Sequence, residues 1–289
     1  MIYSVRHRTT YKYGGPVTRS DHRMWLAPRK TPFQTVLSTQ LTSAPGSGVL
    51  VEEKDYFGNT AHLMSIEEAH EDMWVEANSR VEVRQAPDPM GFDTLDMVRQ
   101  SISRPKDDEA QDAAEFAFPT QYTTASDDIQ AYAEKAFPSD KPLMAAARDL
   151  TTQIFEEFEY NPNATNYATT GIQAFEARKG VCQDFAHVFL ACCRVVGAPA
   201  RYVSGYLLTR PPEGQEKMVG SDASHAWVSV WSPTSGWVDF DPTNDMIPRD
   251  EHITTAWGRD FNDVSPIRGI VLGGGGHSID VAVDVIPEP

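Results

Sequence analysis

Cysteine is scarce in this chain: three residues in 289, two of them adjacent (Cys192, Cys193). That excludes a disulfide framework. Long apolar runs are also missing, and none approaches the roughly 18 residues that a membrane helix needs. The opening stretch, MIYSVRHRTTYKYGG, has charges where a secretory leader would have an apolar segment. Together these absences lead us to expect a cytoplasmic protein whose thiols stay reduced. Positive charge is in short supply as well, with 25 Lys and Arg against 41 Asp and Glu, a net of −16. Sequence-independent nucleic-acid binding is therefore not expected, because phosphate attraction needs basic side chains. The deficit is uneven: residues 1–50 hold seven basic groups and only one acid, Asp21. A basic face docked on the acidic part of the same chain accounts for this more simply than an acidic partner. Internal repeats and heptad arrays are absent.

What is present reads as a soluble α+β protein. The length suggests two domains, or one large domain with an arm. Residues 1–86 carry short runs of alternating polarity broken by Gly, Pro and Asn, and predict an N-terminal β-sandwich. Phe57–Asn59 looks like a hairpin turn. Residues 87–124 are rich in Pro and acids and read as a linker or irregular arm. Residues 125–289 make the second domain. Ser126 caps a helix in DDIQAYAEKAF, and KPLMAAARDLTTQIFEEF is a second helix with Pro142 near its start. A third begins at Cys182, with Phe185, Phe189, Cys192 and Val196 along one stripe and Gly197 and Pro199 at its end. Strand-like runs follow, the last with Ile279, Val281, Val283 and Val285 on one face.

Chemistry concentrates around Cys182. A helix N-terminus stabilises a thiolate, whereas Asp184 in the same turn opposes it, so a positive partner is needed. Cys192 and Cys193 lie inside the helix and read as small hydrophobes. The partner is His225. If Trp231 pairs with Trp237 in the hairpin AWVSVW–SPTSG–WVDFD, then Asp241 lies opposite Trp227 and diagonal to His225, on the same face. Val228, Val230, Val238 and Phe240 then form a core layer on the opposite face. The result is a nucleophile, a base and an orienting carboxylate: Cys182, His225 and Asp241. The backbone N–H of Cys182 is one oxyanion donor by its position. His187 reads as a packed or solvated histidine.

At these residues the chain resembles the transglutaminase-like superfamily, a branch of the papain-like cysteine enzymes. GVCQDFAH, PARYVSGY, HAWV and WVDFDPTN carry the resemblance. DYFGN and GRDFNDVSPIRG with GGGGH are similar to the N-terminal β-domain and the C-terminal segment of bacterial members. The resemblance implies a papain-like core with the Cys182 helix packed on an antiparallel sheet. It implies the same three roles for Cys182, His225 and Asp241. The expected activity is a cysteine-dependent hydrolase of amide or peptide bonds acting through a thioester. A protein-glutamine acyltransferase and a silent binding module of the same fold are the alternatives.

Other features are weaker. Adjacent cysteines on a helix point about 100° apart and do not share an ion easily, so no metal and no cofactor is expected. The glycine run before His277 is not a phosphate loop. It is either a flexible approach to the last strand or a cleft wall, with His277 as a substrate contact. Trp227, beside His225, is the other candidate substrate contact. Arg259 and Asp260 read as a structural ion pair. The expected partner is a peptide or protein amide, with no nucleic acid and no membrane.

Overall fold

The structure, a computed structural model, describes residues 1–46, 49–89, 91–209 and 222–288. Five strands come first: β1 (Ile2–Met24), β2 (Gln34–Ala44), β3 (Val49–Lys54), β4 (Thr60–Ile66) and β5 (His70–Val83). Helices α1 (Leu95–Ser103), α2 (Asp108–Glu115), α3 (Asp127–Ala136) and α4 (Leu143–Glu157) follow. Then come β6 (Glu159–Tyr160), α5 (Gly171–Ala177), β7 (Lys179–Gly180) and α6 (Cys182–Val195). The chain continues through β8 (Ala200–Leu207), β9 (Ala223–Ser232), β10 (Gly236–Phe240) and β11 (His252–Gly258). It closes with α7 (Phe261–Val264), β12 (Ile267–Gly273) and β13 (His277–Pro287).

The long strand β1 organises the N-terminal sheet. Tyr3, Val5, His7 and Thr9 alternate inward while Ser4, Arg6 and Arg8 point outward, the period of a half-buried strand. Its first half pairs with β5 on one side and β13 on the other. Its second half pairs with β4 and β12. The two halves meet where the register breaks, between Lys12 and Val17. Met24, Met64 and Ile66 from one half pack with Met73, Val75 and Ala77 from the other. The expected sandwich of residues 1–86 is therefore corrected in composition. It is one seven-stranded antiparallel sheet, and two of its strands come from the end of the chain. The sequence hides this because pairing between strands some 270 residues apart leaves no local signal.

The expected boundaries at 87–124 and 125–289 change for the same reason, since β12 and β13 lie in the N-terminal sheet. Residues 87–124 are not an irregular arm either. Thr94 and Asp107 cap α1 and α2, and Leu95, Val98, Ala110 and Ala113 enter the main core. Ile279 and Val281 are exposed while Val283 and Val285 are buried, so only half of the apolar face of β13 is covered. The basic groups of β1 find acids mostly within the same sheet: Arg6 and Arg8 pair with Glu76, and Arg23 pairs with Glu53. Arg259 pairs with Asp263, four residues on, and Asp260 instead caps α7.

The second sheet is antiparallel, in the order β10-β9-β8-β11. Val228, Val230, Phe240, Ala200 and Tyr202 from it pack with α6 in the main core. Every residue of α6 from Asp184 to Arg194 is buried. The helix thus runs through the interior rather than laying one stripe on it. The cap at Ser126, Pro142 at the start of α4 and the stop at Gly197 are as the sequence predicts.

A polar clamp joins the two sheets. The Asp55–Asn59 turn closes with Asn59 N–H on the Asp55 carboxylate (2.8 Å). Asn59 then reaches across to β11: its Nδ2 donates to Trp257 O (2.8 Å) and its Oδ1 accepts from Trp257 N (2.9 Å). Asn59 is fully buried. Removing its amide would leave both backbone groups of Trp257 unpaired, at about 1–3 kcal/mol for each group. Asn59→Ala should therefore lower the unfolding free energy by roughly 2–4 kcal/mol, measured by urea denaturation. A loss below experimental error would show that the clamp is dispensable.

Candidate active site

Cys182 is positioned by the turn before it. β6 and β7 pair in parallel, matching Tyr160 with Gly180, and Asn161 N–H bonds Gly180 O (2.8 Å). Val181, at the cap position, offers no side-chain acceptor. Asp184 supplies it instead, turning back so that Oδ2 accepts from Val181 N–H (2.8 Å) and from the Thr165 hydroxyl (2.6 Å). A Cβ on Gly180 would lie 2.5 Å from that same oxygen, so only glycine fits before the cysteine. Burial raises the Asp184 pKa, against the pull of Thr165 and Val181 N–H. Cys182 is half-buried, while Cys192 and Cys193 are fully buried. Burial pushes the Cys192 thiol up to about 12 and Cys193 well above its ordinary value.

His225 stands on β9, opposite Gly205 of β8. In the hairpin Trp231 pairs with Trp237, Val230 with Val238 and Val228 with Phe240, the register that the hydrophobic pattern predicts. His225 Nε2 donates to Asp241 Oδ2 at 2.8 Å. Cys182 lies near enough to the same imidazole to help raise its pKa. With Nε2 taken by the carboxylate, Nδ1 is the ring nitrogen that Asp241 does not engage. The structure thus bonds His225 to Asp241 and places Cys182 close to the same ring.

Asp241 is fully buried and crowded with donors. Its Oδ2 accepts from His225, from His252 Nε2 (3.0 Å) and from Asn244 Nδ2 (2.7 Å). Its Oδ1 accepts from the backbone N–H groups of Thr243 (2.9 Å) and Asn244 (3.2 Å). Burial alone would raise its pKa, but the hydrogen bonds and charges of His225 and His252 overcome this and hold it well below the usual carboxylate range. For His225 burial would lower the pKa. The hydrogen bond to Asp241 and the nearby Cys182 reverse that and raise it to about 10.

His252 and Asn244 are not singled out by the sequence reading. Their signal was available, since DPTND and DEHITT flank Asp241 with donors, but nothing in spacing alone shows that both return to one oxygen. The two expected substrate contacts fare differently from the trio. Trp227 does stand beside His225, with ring centroids 6.0 Å apart, but it is fully buried and donates to Asp239 (3.0 Å). It wedges His225 and His252 in place and has no face open to a cleft. The structure does not bring His277 to the site. That residue pairs with Tyr13 in the N-terminal sheet and lies exposed against Tyr11 and Tyr13. The glycines before it (Gly273, Gly274 and Gly275, all at positive φ) turn the chain from β12 into β13. His187 is fully buried between Tyr122 and Tyr202, and burial lowers its pKa to about 3, so it stays neutral.

His225, Asp241 and His252 could also hold a metal ion, their donor atoms lying within 4.8 Å of one another. All three donor atoms already satisfy one another as hydrogen-bond partners, so the trio is complete without an ion. No helix among the described residues is long and apolar enough to cross a membrane.

A half-buried thiol at the head of an interior helix, facing a histidine on an antiparallel sheet, defines a transglutaminase-like fold. The chain belongs to the transglutaminase-like superfamily: residues 130–242 match its core and residues 3–82 match the bacterial transglutaminase-like N-terminal region. It is 37% identical over 292 residues to an uncharacterised protein of Mycobacterium tuberculosis, covering 99% of this chain and 92% of that one. A 96-residue stretch, 32% of this chain and 14% of the other, is 35% identical to a protein-glutamine gamma-glutamyltransferase of Pseudomonas aeruginosa. A solved structure from Cytophaga hutchinsonii, described as a candidate cysteine protease, shares the fold over 100% of this chain and 92% of that one, with a TM-score of 0.77 at 22% identity.

The three thiols should separate cleanly by reactivity. In native protein at pH 7, iodoacetamide should modify Cys182 alone, and Cys192 and Cys193 should react only after denaturation. Peptide mass mapping reads this directly. Comparable labelling of all three in the folded state would contradict the arrangement.

Proposed function

We propose that this protein is a cysteine-dependent amide or peptide-bond hydrolase in which Cys182 is the nucleophile, His225 the general base and acid, and Asp241 the orienting carboxylate. The observation that carries the reading is the buried His225–Asp241 hydrogen bond close to the half-buried Cys182 at the head of α6. An imidazole held protonated through the neutral range beside a sulfur is the setting in which a thiolate forms. The sulfur attacks the amide carbonyl carbon, and the C–S bond forms as the carbonyl electrons move to oxygen. The Cys182 backbone N–H, at the head of α6, is one donor to that oxygen. As the intermediate collapses, the C–N bond breaks and His225 gives its proton to the leaving amine. Water then attacks the thioester, His225 takes its proton, and the acid leaves as the thiol is restored. Asp241 keeps Nε2–H fixed, so that Nδ1 always faces the sulfur.

Water is the favoured acceptor because hydrolysis asks for no second binding tunnel, whereas amine transfer does. The similarity to the Pseudomonas glutamyltransferase keeps amine transfer as the competing reading. A pool of glutamine- and amide-containing peptides, offered with and without a labelled primary amine, separates the two. Free acid should form, and Cys182→Ala should abolish it. Asp241→Asn should cost on the order of 10³-fold or more in kcat. Dominant incorporation of the amine would replace the hydrolase with an acyltransferase. A reactive Cys182 with no turnover of any amide would make the protein a binding module.

His252 enters this reading as a positioning residue. It donates to the oxygen of Asp241 that also holds His225. Losing one charge-assisted bond of that kind is worth about 1.5–3 kcal/mol. His252→Phe should therefore lower kcat by about tenfold or more with KM little changed. Because the bond from His252 lowers the Asp241 pKa, its loss raises that pKa and moves the acid limb of the rate profile to higher pH. His252→Gln, which keeps a donor, should restore part of both. An unmoved acid limb in His252→Phe would leave His252 as packing only.

A further inference from the structure

Behind the triad lies a cavity of about 1110 Å³, walled by the N-terminal sheet, α2 and the face of the second sheet that carries Arg201 and His252. Neither Cys182 nor His225 lines it. His252 does, so the cavity sits one hydrogen bond from Asp241 without opening on the thiol.

Its most unusual occupant is Arg201. The side chain is 9% exposed, and its guanidinium lies over two indoles, 3.6 Å from the centroid of Trp257 and 4.1 Å from that of Trp237. Cation–π contact of this kind holds a guanidinium flat and leaves its N–H groups pointing outward in their own plane. Among the described residues, none of those donors meets an acceptor, and no carboxylate comes within ion-pair distance. The Nε–H is buried and unpartnered. Asp239 and Glu109 are near enough to be felt electrostatically. Their own carboxylates, however, accept from Trp227 Nε1 (3.0 Å) and Trp231 Nε1 (3.2 Å). A second cation, Arg29, lies over Trp257 at 3.1 Å, with its Nε–H also buried and unpartnered. Burial lowers both guanidinium pKa values to about 9, which still leaves them charged at neutral pH. Buried cations are normally paired, and a fork of free N–H donors matches the two oxygens of a carboxylate or phosphate. Phe57, Phe116 and Trp237 supply an apolar wall beside the fork.

We propose that this cavity is a binding site for a small organic anion, an oxyanion group on an apolar or aromatic body, with Arg201 as the anion-recognising residue. The site is separate from the thiol and does not depend on the reaction assigned to Cys182.

Isothermal titration calorimetry on the full chain at fixed ionic strength tests it, with benzoate, phenyl phosphate and benzylamine as probes. At least one of the two anions should bind saturably at one site, and the preferred one tells carboxylate from phosphate recognition. Benzylamine should not bind. Arg201→Met, checked for folding by circular dichroism, should weaken the anion by about tenfold or more. If that variant does not fold, Phe33→Glu serves in its place. Phe33 is an exposed residue of the cavity lining, and a carboxylate there should repel the anion. Absence of saturable anion binding at millimolar concentration, benzylamine binding as tightly as the anions, or full retention of affinity in the folded variant would each overturn the assignment.

Discussion

Everything at the site depends on one buried carboxylate. Asp241 gives up hydration and is compensated by five donors from four directions: two histidines on different strands, an asparagine side chain and two backbone amides. A buried charge is tolerated only when it is saturated in this way. The saturation has a structural effect beyond electrostatics. It ties the end of β10 to β9 and β11 at one point, and it draws the turn at 241–246 into a closed loop, with Asp241 and Met246 exchanging both backbone bonds.

The thiol side of the site is fixed by a different device. Asp184 has the same chemical group as Asp241 but only two partners for one oxygen, and its other oxygen has none. It closes the head of α6; the rest of the helix is held largely by apolar packing, with Arg194 bonded to Phe116 O, Thr123 and Ala200 O near its far end. Placement of Cys182 is therefore a matter of core packing, and placement of His225 a matter of polar saturation. The two meet where Cys182 comes close to the imidazole. Any strain that shifts the sheet against the helix is felt there first.

Much of this was legible beforehand, and the reasons are local. The hairpin register follows from Val228, Val230, Val238 and Phe240, because a slip by one residue would expose four apolar side chains. The tail of α6 follows from Gly197 and Pro199. What could not be read was distant or shared. His252 lies 27 residues from His225, and only the fold reveals that both address one oxygen. α1 and α2 sit in a stretch whose proline and acid content resembles a linker, yet four small or aliphatic residues there suffice to dock them. The alternation places Trp227 next to His225, as found, but the cleft that it suggests for Trp227 is replaced by full burial. Alternation tells which face a side chain takes and not whether water reaches that face.

The pairing of β13 with β1 sets a sequence of events during synthesis. The first half of β1 has one neighbour among the first 84 residues and must wait for the other until residues 277–287 have been made. Until then a long strand has an open hydrogen-bonding edge, with Tyr3 and Val5 lacking Val283 and Val285 against them. The N-terminal sheet is thus first in order of translation and last to be completed, and a ribosome stalled before the final strand would hold a chain with one unpaired edge. Alternating Arg6, Arg8 and Lys12 along that strand are the kind of charges that keep such an edge from recruiting another copy while it waits.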